Sequence, residues 1–308
     1  SEGLVGSEMC IRDRSLRSPY YGAQLTHCPI KIQGHLALVS RRRSFKPRAG
    51  QTHVLPNKVR PVSVTGMRKR YPIPYPRRAI SRAVLRQLSG RLIRLLSDLQ
   101  ITGLEHVPAR GPIILAANHF NFVDPPLVLY ASPRTVEFIG GANRPNAPMW
   151  AQMIPQTWGF IRAYRGGYSR STFRESLGVL AQGGVLGIFP EGGSWASLLR
   201  PARPGLAYIA EQSGAQVVPI SITGAEDLIG GPKRPVSIAF HTPLAAPVIT
   251  SKRTRRQALD AFGDEVMSVI AQGLPDAQRG KFSSDADARE AARAVSDFPF
   301  HREEMRGG

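Results

Sequence analysis

The stretch Gly111-Pro-Ile-Ile-Leu-Ala-Ala-Asn-His-Phe-Asn-Phe-Val-Asp-Pro-Pro126 decides the predicted fold. Residues 113–117 form a short, uninterrupted apolar run, which is typical of a strand buried on both faces of a parallel sheet. Asp124 followed by Pro125 predicts a helix start, with the aspartate as N-cap and the proline at the first helical position. The polar residues between strand and helix therefore lie in a loop that leaves the carboxyl end of a strand. Open α/β sheets bind their ligands at such loops.

Short apolar runs alternate with helix-like segments on both sides of this stretch, and Gly and Pro residues separate them. Predicted strands are 113–117, 136–139, 159–164, 185–189, 217–222 and 236–240. Predicted helices are 79–99, 125–130, 149–153, 171–182, 204–212, 254–272 and 286–295. Repeated β–α units of this kind predict an α/β fold, a largely parallel mixed sheet covered by helices, with an amphipathic helix at its N-terminal end.

Composition and charge exclude several classes of protein. The 308 residues fit one large or two small α/β domains. Lysine and arginine number 41 against 22 acidic residues, a net charge of +19, which predicts an anionic partner such as nucleic acid, a phospholipid surface or a phosphorylated substrate. The two cysteines, Cys10 and Cys28, exclude a disulfide scaffold and a CxxC-type zinc site. No run of about 18 uncharged apolar residues is present, which excludes a conventional transmembrane helix.

The composition also divides the chain into four regions. Residues 1–66 lack a sustained helical or strand period, and the opening SEGLVGSEMCIRDR resembles a translated adapter, so we interpret them as a disordered or artefactual basic leader. A basic arm for nucleic acid or anionic lipid, or a transit peptide, is the alternative. Residues 67–100 are predicted to form an amphipathic membrane-surface helix region, 101–275 the main domain, and 276–308 a polar C-terminal tail.

The predicted helix 79–99 has two interpretations. Its apolar residues recur at helical spacing, and arginines occupy much of the remaining surface. Such a helix can lie in a bilayer interface with its apolar face down. It can equally be an ordinary surface helix whose apolar face packs on the domain core, and this feature alone favours neither interpretation.

His119 and Asp124 are the candidate catalytic residues. A turn between strand and helix can bring the imidazole to the carboxylate, which would fix the tautomer of the ring and leave its second nitrogen as a base. This is the orienting half of a Ser-His-Asp triad without its serine, so the hydroxyl to be activated can belong to the substrate. The alternatives are a turn histidine and a structural helix cap. Metal ligation is disfavoured, because His and Asp five residues apart with no further clustered ligands match no common zinc pattern.

Several ordered motifs give this sequence a family resemblance. Asn118-His119 with Asp124 resembles the HxxxxD motif of the glycerolipid acyltransferases, which include the 1-acyl-sn-glycerol-3-phosphate acyltransferases. The later motifs follow in the order that this family shows: a strand ending in Arg165, the FPEG block Phe189-Pro-Glu-Gly192, the lead-in Arg203-Pro-Gly205 and the strand block Val218-Pro-Ile220. The resemblance covers roughly residues 100–245.

The resemblance implies a reaction in which His119 takes the proton of an acceptor hydroxyl. The alkoxide then attacks the thioester carbonyl of acyl-CoA or an acyl carrier protein, while Asp124 steadies the imidazolium. The acceptor is a lysophospholipid, above all 1-acyl-sn-glycerol-3-phosphate. No metal and no cofactor are implied, since the thioester donor is a co-substrate.

The resemblance also implies which residues bind the substrate. Arg165 would pair with the acceptor phosphate, for which a guanidinium is suited. Glu191 would accept hydrogen bonds from acceptor hydroxyls or position that arginine. Gly192 would let the backbone approach the substrate closely, and Asn118 of the HxxxxD motif is the fourth predicted substrate-binding residue.

One departure from the family pattern concerns the acceptor. FPEG is commonly followed by Thr-Arg-Ser in the family, whereas this chain has Gly193-Ser194-Trp195. The lost arginine removes a phosphate contact, and three other arginines are candidates to replace it: Arg162, Arg200 and Arg203.

Other functional classes fit less well. A serine hydrolase needs G-x-S-x-G, and residues 192–196 fail at the last glycine, which leaves Ser194 a minor candidate nucleophile. Dinucleotide-binding and P-loop signatures are absent from the sequence. The non-enzymatic alternative is a basic nucleic-acid-binding protein, but no recognised nucleic-acid-binding signature accompanies the charge. We therefore expect an anionic membrane surface, and no nucleic acid, as the partner, with the protein peripheral on the cytoplasmic face of the membrane.

Overall fold

The computed structural model describes residues 73–141, 157–163, 169–194, 196–226, 228, 233–249 and 251–296, all within the unit Pro61–Gly308. These residues form six α-helices and seven β-strands. The helices are α1 (Ala79–Leu96), α2 (Asp124–Ala131), α3 (Arg170–Leu180), α4 (Gly205–Ser213), α5 (Arg255–Gln272) and α6 (Ala286–Ala294). The strands are β1 (Ser97–Thr102), β2 (Ile113–Ala117), β3 (Val136–Gly141), β4 (Ile161–Ala163), β5 (Val185–Ile188), β6 (Gln216–Thr223) and β7 (Arg234–Phe240).

The strands form one sheet in the order β1-β7-β6-β2-β5-β3-β4. All neighbouring strands are parallel except β6 and β7, which are antiparallel. The register pairs Ala117, the last residue of β2, with Ile220 of β6, and Ala116 with Ile188, the last residue of β5. The predicted α/β class and largely parallel mixed sheet are confirmed. The loops that follow β2 and β5 are therefore brought together at one end of the sheet.

Helices cover both faces of the sheet. On one face α3, α4 and α5 contribute Leu177, Leu206 and Phe262 to a core cluster. On the other face α1 and α2 contribute Ile93 and Leu127. Every residue of β2 is buried because this strand is central and both of its faces are covered, which explains its uninterrupted apolar run.

Most predicted elements are present within a few residues of their predicted bounds. The strand predicted at 113–117 is β2 itself, the helix predicted at 254–272 is α5, and the helix predicted at 286–295 is α6. The predicted helix 149–153 and the predicted leader 1–66 lie outside the described residues.

The predicted helix 79–99 is too long, because α1 ends at Leu96 and the chain continues directly into the edge strand β1. The backbone of Ser97 is extended, and its hydroxyl donates to the Ile93 carbonyl at 2.7 Å, which closes the last turn. Leu99, which fits the helical apolar spacing, belongs to a strand that pairs in parallel with β7. The predicted region boundary after residue 100 therefore falls inside β1.

Residues 276–296 of the predicted polar tail are folded onto the domain. They form two single-turn 3₁₀ helices, Asp276–Gln278 and Gly280–Phe282, followed by α6. Phe282 packs against the core cluster that α3, α4 and α5 share. Gly280 has a φ of +58°, and a Cβ at this position would collide with the Leu199 carbonyl oxygen, so the contact requires glycine.

The helix α1 buries one arginine against the sheet and exposes a row of apolar side chains to the outside. Arg82 is 2% exposed and donates hydrogen bonds of 2.5 and 2.8 Å to the Glu137 carboxylate on β3. Gly90 lets α1 approach α2, since a Cβ there would collide with the Tyr130 ring. The outward-facing apolar side chains are more than half exposed: Ile80, Val84, Leu88, Leu92 and Leu95. Among the described residues, no helix is long and apolar enough to cross a membrane.

Candidate active site

His119 and Asp124 flank the loop that follows β2. His119 Nδ1 lies 2.9 Å from Asp124 Oδ2, and the side chains of His119 and Asp124 are 15% and 1% exposed, respectively. A carboxylate only accepts hydrogen bonds, so Nδ1 carries the proton and Nε2 presents its lone pair. Within the described residues, no hydrogen bond engages Nε2. The structure thus brings the two predicted catalytic residues together with one ring nitrogen left for a substrate.

Asp124 organises the loop as well as the imidazole. Its Oδ2 accepts the backbone N–H groups of Phe120 and Asn121, each at 2.8 Å. The predicted N-cap role is wrong: Asp124 is the first residue of α2, and Val123 occupies the N-cap position without a side-chain cap. The carboxylate turns back toward the loop because three donors converge on one of its oxygens there. These bonds hold that oxygen against His119.

Asn118 has a structural role. Its Nδ2 donates to the Ile222 carbonyl at 2.9 Å, and its Oδ1 accepts the Ile222 N–H at 2.8 Å. The side chain is 1% exposed, so it fastens the end of β2 to β6 and presents no surface to a ligand. The predicted substrate-binding role of Asn118 does not fit this geometry.

Glu191, in the loop after β5, is fully buried and holds the backbone of His119. Its Oε1 accepts the His119 N–H at 2.7 Å, and its Oε2 accepts the Arg200 N–H at 3.1 Å and lies 3.3 Å from Arg200 Nε. Burial raises the pKa of the Glu191 carboxyl to about 7, against the opposing effect of the Arg200 guanidinium. The predicted contact with acceptor hydroxyls does not fit a carboxylate with no exposed surface. The arginine that Glu191 contacts is Arg200.

Phe189 and Gly192 shape the same loop. The Phe189 ring stacks on the His119 imidazole, with centroids 4.2 Å apart and planes at 24°, and also stacks on Phe138 of β3 at 5.4 Å. Gly192 has a φ of +82°, in the left-handed region that favours glycine, so it turns the chain immediately after Glu191. The sequence analysis did not identify the stacking by Phe189. Its only signal in the sequence is its place in the FPEG block.

The candidate phosphate-binding arginines separate into different environments. Arg165 lies outside the described residues. Arg200 is 2% exposed, contacts Glu191 and donates a short hydrogen bond to the Gly193 carbonyl, so it cannot replace the missing phosphate contact. Arg162 on β4 and Arg203 before α4 are both exposed. Arg203 lies beside Gly192, since a Cβ on that glycine would lie 3.4 Å from Arg203 Cγ.

The described residues contain no activated serine. No hydrogen bond of the described residues joins Ser194 to His119. A Ser–His contact that the sequence analysis did not identify lies between Ser221 Oγ and His241 Nε2 at 2.7 Å. The Ser221 hydroxyl donates to the Ile270 carbonyl at 2.6 Å, so His241 donates to Ser221 and does not deprotonate it. The described residues also contain no group of three or more His, Cys, Asp or Glu side chains placed to hold a metal ion.

This geometry can perform acid–base chemistry on a bound hydroxyl group. Residues 98–223 match the family model described as Acyltransferase, a segment that includes β2, His119, Asp124 and Glu191. This segment is therefore similar to the acyltransferase family. A comparison with curated proteins finds no match.

Among solved structures, the chain is similar to the crystal structure of the 1-acyl-sn-glycerophosphate (LPA) acyltransferase PlsC from Thermotoga maritima. The sequences are 22% identical, the TM-score is 0.48, and the similarity covers 68% of this chain and 90% of that one.

Proposed function

We propose that the protein moves a fatty acyl group from acyl-CoA or an acyl carrier protein to the hydroxyl of a lysophospholipid. The observation that carries this proposal is the 2.9 Å contact between His119 Nδ1 and Asp124 Oδ2 at the carboxyl end of the central strand. This contact orients His119 as a base, and no serine among the described residues is hydrogen-bonded to His119. We therefore assign the hydroxyl to be activated to the acceptor.

The proposed reaction begins when His119 Nε2 takes the proton of the acceptor hydroxyl. The oxygen attacks the thioester carbonyl carbon, a C–O bond forms, and the C–S bond breaks as the tetrahedral intermediate collapses. The leaving thiolate takes the proton from the imidazolium, which returns His119 to its starting state. Asp124 stabilises the imidazolium between the two proton transfers. The thioester donor supplies the activated carbonyl, and the proposal invokes no metal and no cofactor.

The proposed acceptor is 1-acyl-sn-glycerol-3-phosphate, which would give phosphatidic acid. The family motifs and the resemblance of the segment ending in Arg165 to a phosphate-pairing block support this choice. Arg203 adds an exposed arginine whose Cγ lies beside Gly192 and whose guanidinium donates to the Ser296 carbonyl at 3.3 Å. A guanidinium can pair with two phosphate oxygens at once. The alternative is an acyltransferase of the same fold that uses a different hydroxyl acceptor.

Acyl transfer to a panel of lysophospholipids tests the proposed acceptor. Radiolabelled acyl-CoA and acyl carrier protein would be offered with 1-acyl-sn-glycerol-3-phosphate and with lysolipids that have choline or ethanolamine head groups. We expect the phosphomonoester to be the preferred acceptor. Transfer only to another lysolipid would keep the reaction and overturn this acceptor, and the absence of transfer to every acceptor would overturn the proposed function.

We further propose that α1 binds the protein to an anionic membrane surface, on the cytoplasmic face. Its outward side exposes Leu88 and Leu92, each by 55%, within a row of five exposed apolar side chains. Arg91 and Arg94 of the same helix are also exposed. An apolar row beside arginines complements an anionic bilayer interface, where each basic residue near the surface contributes roughly 1 kcal/mol. The buried Arg82–Glu137 ion pair holds α1 against the sheet. The row of exposed apolar side chains on α1 therefore faces outward while the helix stays packed on the domain.

Co-sedimentation with vesicles tests the membrane proposal. The variant Leu88→Asp/Leu92→Asp places charges on the outward side of α1, so we expect it to lose binding to phosphatidylglycerol-containing vesicles with an unchanged Tm. The matched control, Gln87→Asp, alters an exposed polar residue of the same helix. Wild-type binding to duplex DNA and not to vesicles would favour the nucleic-acid alternative and contradict the proposal.

A further inference from the structure

Gln278, in the first turn of the C-terminal segment, contacts two loops at the carboxyl end of the sheet. Its main-chain carbonyl accepts the Leu199 N–H at 2.9 Å, in the loop that follows β5. Its side-chain Nε2 donates to Glu226 Oε1 at 2.9 Å, in the loop that follows β6. Gln278 is therefore hydrogen-bonded to both loops that flank the His119 loop.

Each of these loops is in turn bonded to the His119 loop. Beside Leu199, Arg200 donates its N–H to Glu191, and the other oxygen of Glu191 accepts the His119 N–H. On the other side, the Glu226 carbonyl accepts Asn121 Nδ2 at 3.3 Å. These hydrogen bonds and the backbone between neighbouring residues together form a closed circuit around the candidate active site. The circuit passes through His119, Glu191, Arg200, Leu199, Gln278, Glu226 and Asn121.

From this circuit we infer that Gln278 is a positioning residue for His119, and that residues 276–296 are part of the catalytic domain. The inference rests on the proposed acyl transfer. Gln278 touches no reacting atom in this scheme; it acts through Glu226 and Leu199. It lies outside the residues 98–223 that match the family, so it is a feature of this chain that the family match does not include.

The physical reason is that loops without regular structure move unless hydrogen bonds restrain them. His119 is held by the Asp124 carboxylate at its ring and by Glu191 at its backbone, and Glu191 depends on the position of Arg200. A misplacement of about 1 Å from a distant change can cost on the order of 100-fold in rate. Loss of one link of the circuit should therefore lower kcat without removing the substrate-binding surface.

The test compares Gln278→Leu with Gln272→Leu in the full 308-residue chain. Gln272 is exposed at the end of α5 and serves as the matched control. Gln278→Leu removes the amide that donates to Glu226, and we expect kcat to fall on the order of 10-fold with KM changed by less than about twofold. Gln272→Leu should keep the wild-type kcat. Thermal unfolding checks that each variant is folded.

A double-mutant cycle shows whether the effect passes through Glu226. If it does, Gln278→Leu/Glu226→Leu should lose no more kcat than the more damaging single variant, whereas independent effects would multiply. Hydrogen exchange gives a readout that needs no activity: the amides of His119 and Leu199 should exchange faster in Gln278→Leu than in Gln272→Leu.

The outcomes separate this inference from the proposed function. A wild-type kcat in a folded Gln278→Leu variant, multiplicative losses in the cycle, or unchanged exchange at His119 would each overturn the positioning role. If the wild-type protein transfers no acyl group to any acceptor, the proposed function fails, and the exchange rates alone decide whether Gln278 restrains the His119 loop.

Discussion

Two substitutions of Asp124 separate its role in the loop from its role in chemistry. Asp124→Asn keeps an oxygen that can accept the Phe120 and Asn121 N–H groups, so the loop and the Nδ1–H tautomer of His119 should persist. It removes the negative charge beside the imidazolium. Asp124→Ala removes the acceptor altogether and leaves three donors without it.

The structure gives a magnitude for each change. Burying the Phe120 N–H without an acceptor costs about 1–3 kcal/mol, and the two part-buried donors add to this. For Asp124→Ala we expect a loss of about 3 kcal/mol in the free energy of unfolding, or roughly 6–12 °C in Tm for a domain of this size. Asp124→Asn should lose about 1 kcal/mol. The lost attraction between carboxylate and imidazolium, about 4 kcal/mol at 4 Å, corresponds to a fall in kcat on the order of 10²- to 10³-fold.

Thermal unfolding and acyl-transfer kinetics measure the two effects separately. The control is Asp260→Asn, which changes an exposed aspartate on α5. We expect Asp124→Asn to be folded and nearly inactive, and Asp124→Ala to be both inactive and clearly less stable. A kcat within a few-fold of wild type for the asparagine variant would refute the charge argument. Equal Tm values for the two variants would refute the loop argument.

Three further predictions concern stability. Burial raises the pKa of Glu191 from 4.5 to about 7, so the native chain holds a proton that the unfolded chain has released. The free energy of unfolding should therefore fall by about 3 kcal/mol as pH rises from 4.5 to 7, and urea titrations should show that Glu191→Gln loses this dependence. Arg82→Met removes the main ion-pair partner of the buried Glu137 carboxylate on β3, and it should lower the free energy of unfolding by about 3–5 kcal/mol. The substitution of an exposed arginine, Arg91→Met, should lower it by less than about 0.5 kcal/mol in the same assay. Ile93→Ala, in the core, should lower the free energy of unfolding by about 2–5 kcal/mol, whereas Leu88→Ala, at an exposed position, should change it little. Chemical denaturation measures both changes.

Local sequence signals predict most of this fold because several strands, such as β2 and β5, are short apolar runs next to Gly or Pro. The central strand β2 is the clearest case, since both of its faces are buried and all of its residues are apolar. The same signals fail at the end of α1. Leu96 and Leu99 share a helical spacing, yet only the pairing of Ser97–Thr102 with β7, far along the chain, makes the second of them a strand residue. A contact of that sequence separation leaves no local pattern.

The site divides in the same way. His119 and Asp124 meet across a five-residue turn, so their contact is predictable from spacing. The partners of Glu191 are not, because its carboxylate reaches His119 across the sheet and Arg200 through a loop. Asn118 shows the opposite error: a polar residue in a catalytic motif points into the sheet and bonds its neighbour there.

The most direct test of the central claim is the rate of acyl transfer from acyl-CoA to 1-acyl-sn-glycerol-3-phosphate by the wild-type chain and by His119→Ala. His106→Ala, which changes a histidine that bonds the Phe240 carbonyl, is the control. If His119 is the general base, its loss should lower kcat on the order of 100-fold or more at unchanged Tm, and the control should stay active. A folded His119→Ala variant that transfers acyl groups at the wild-type rate would contradict the account.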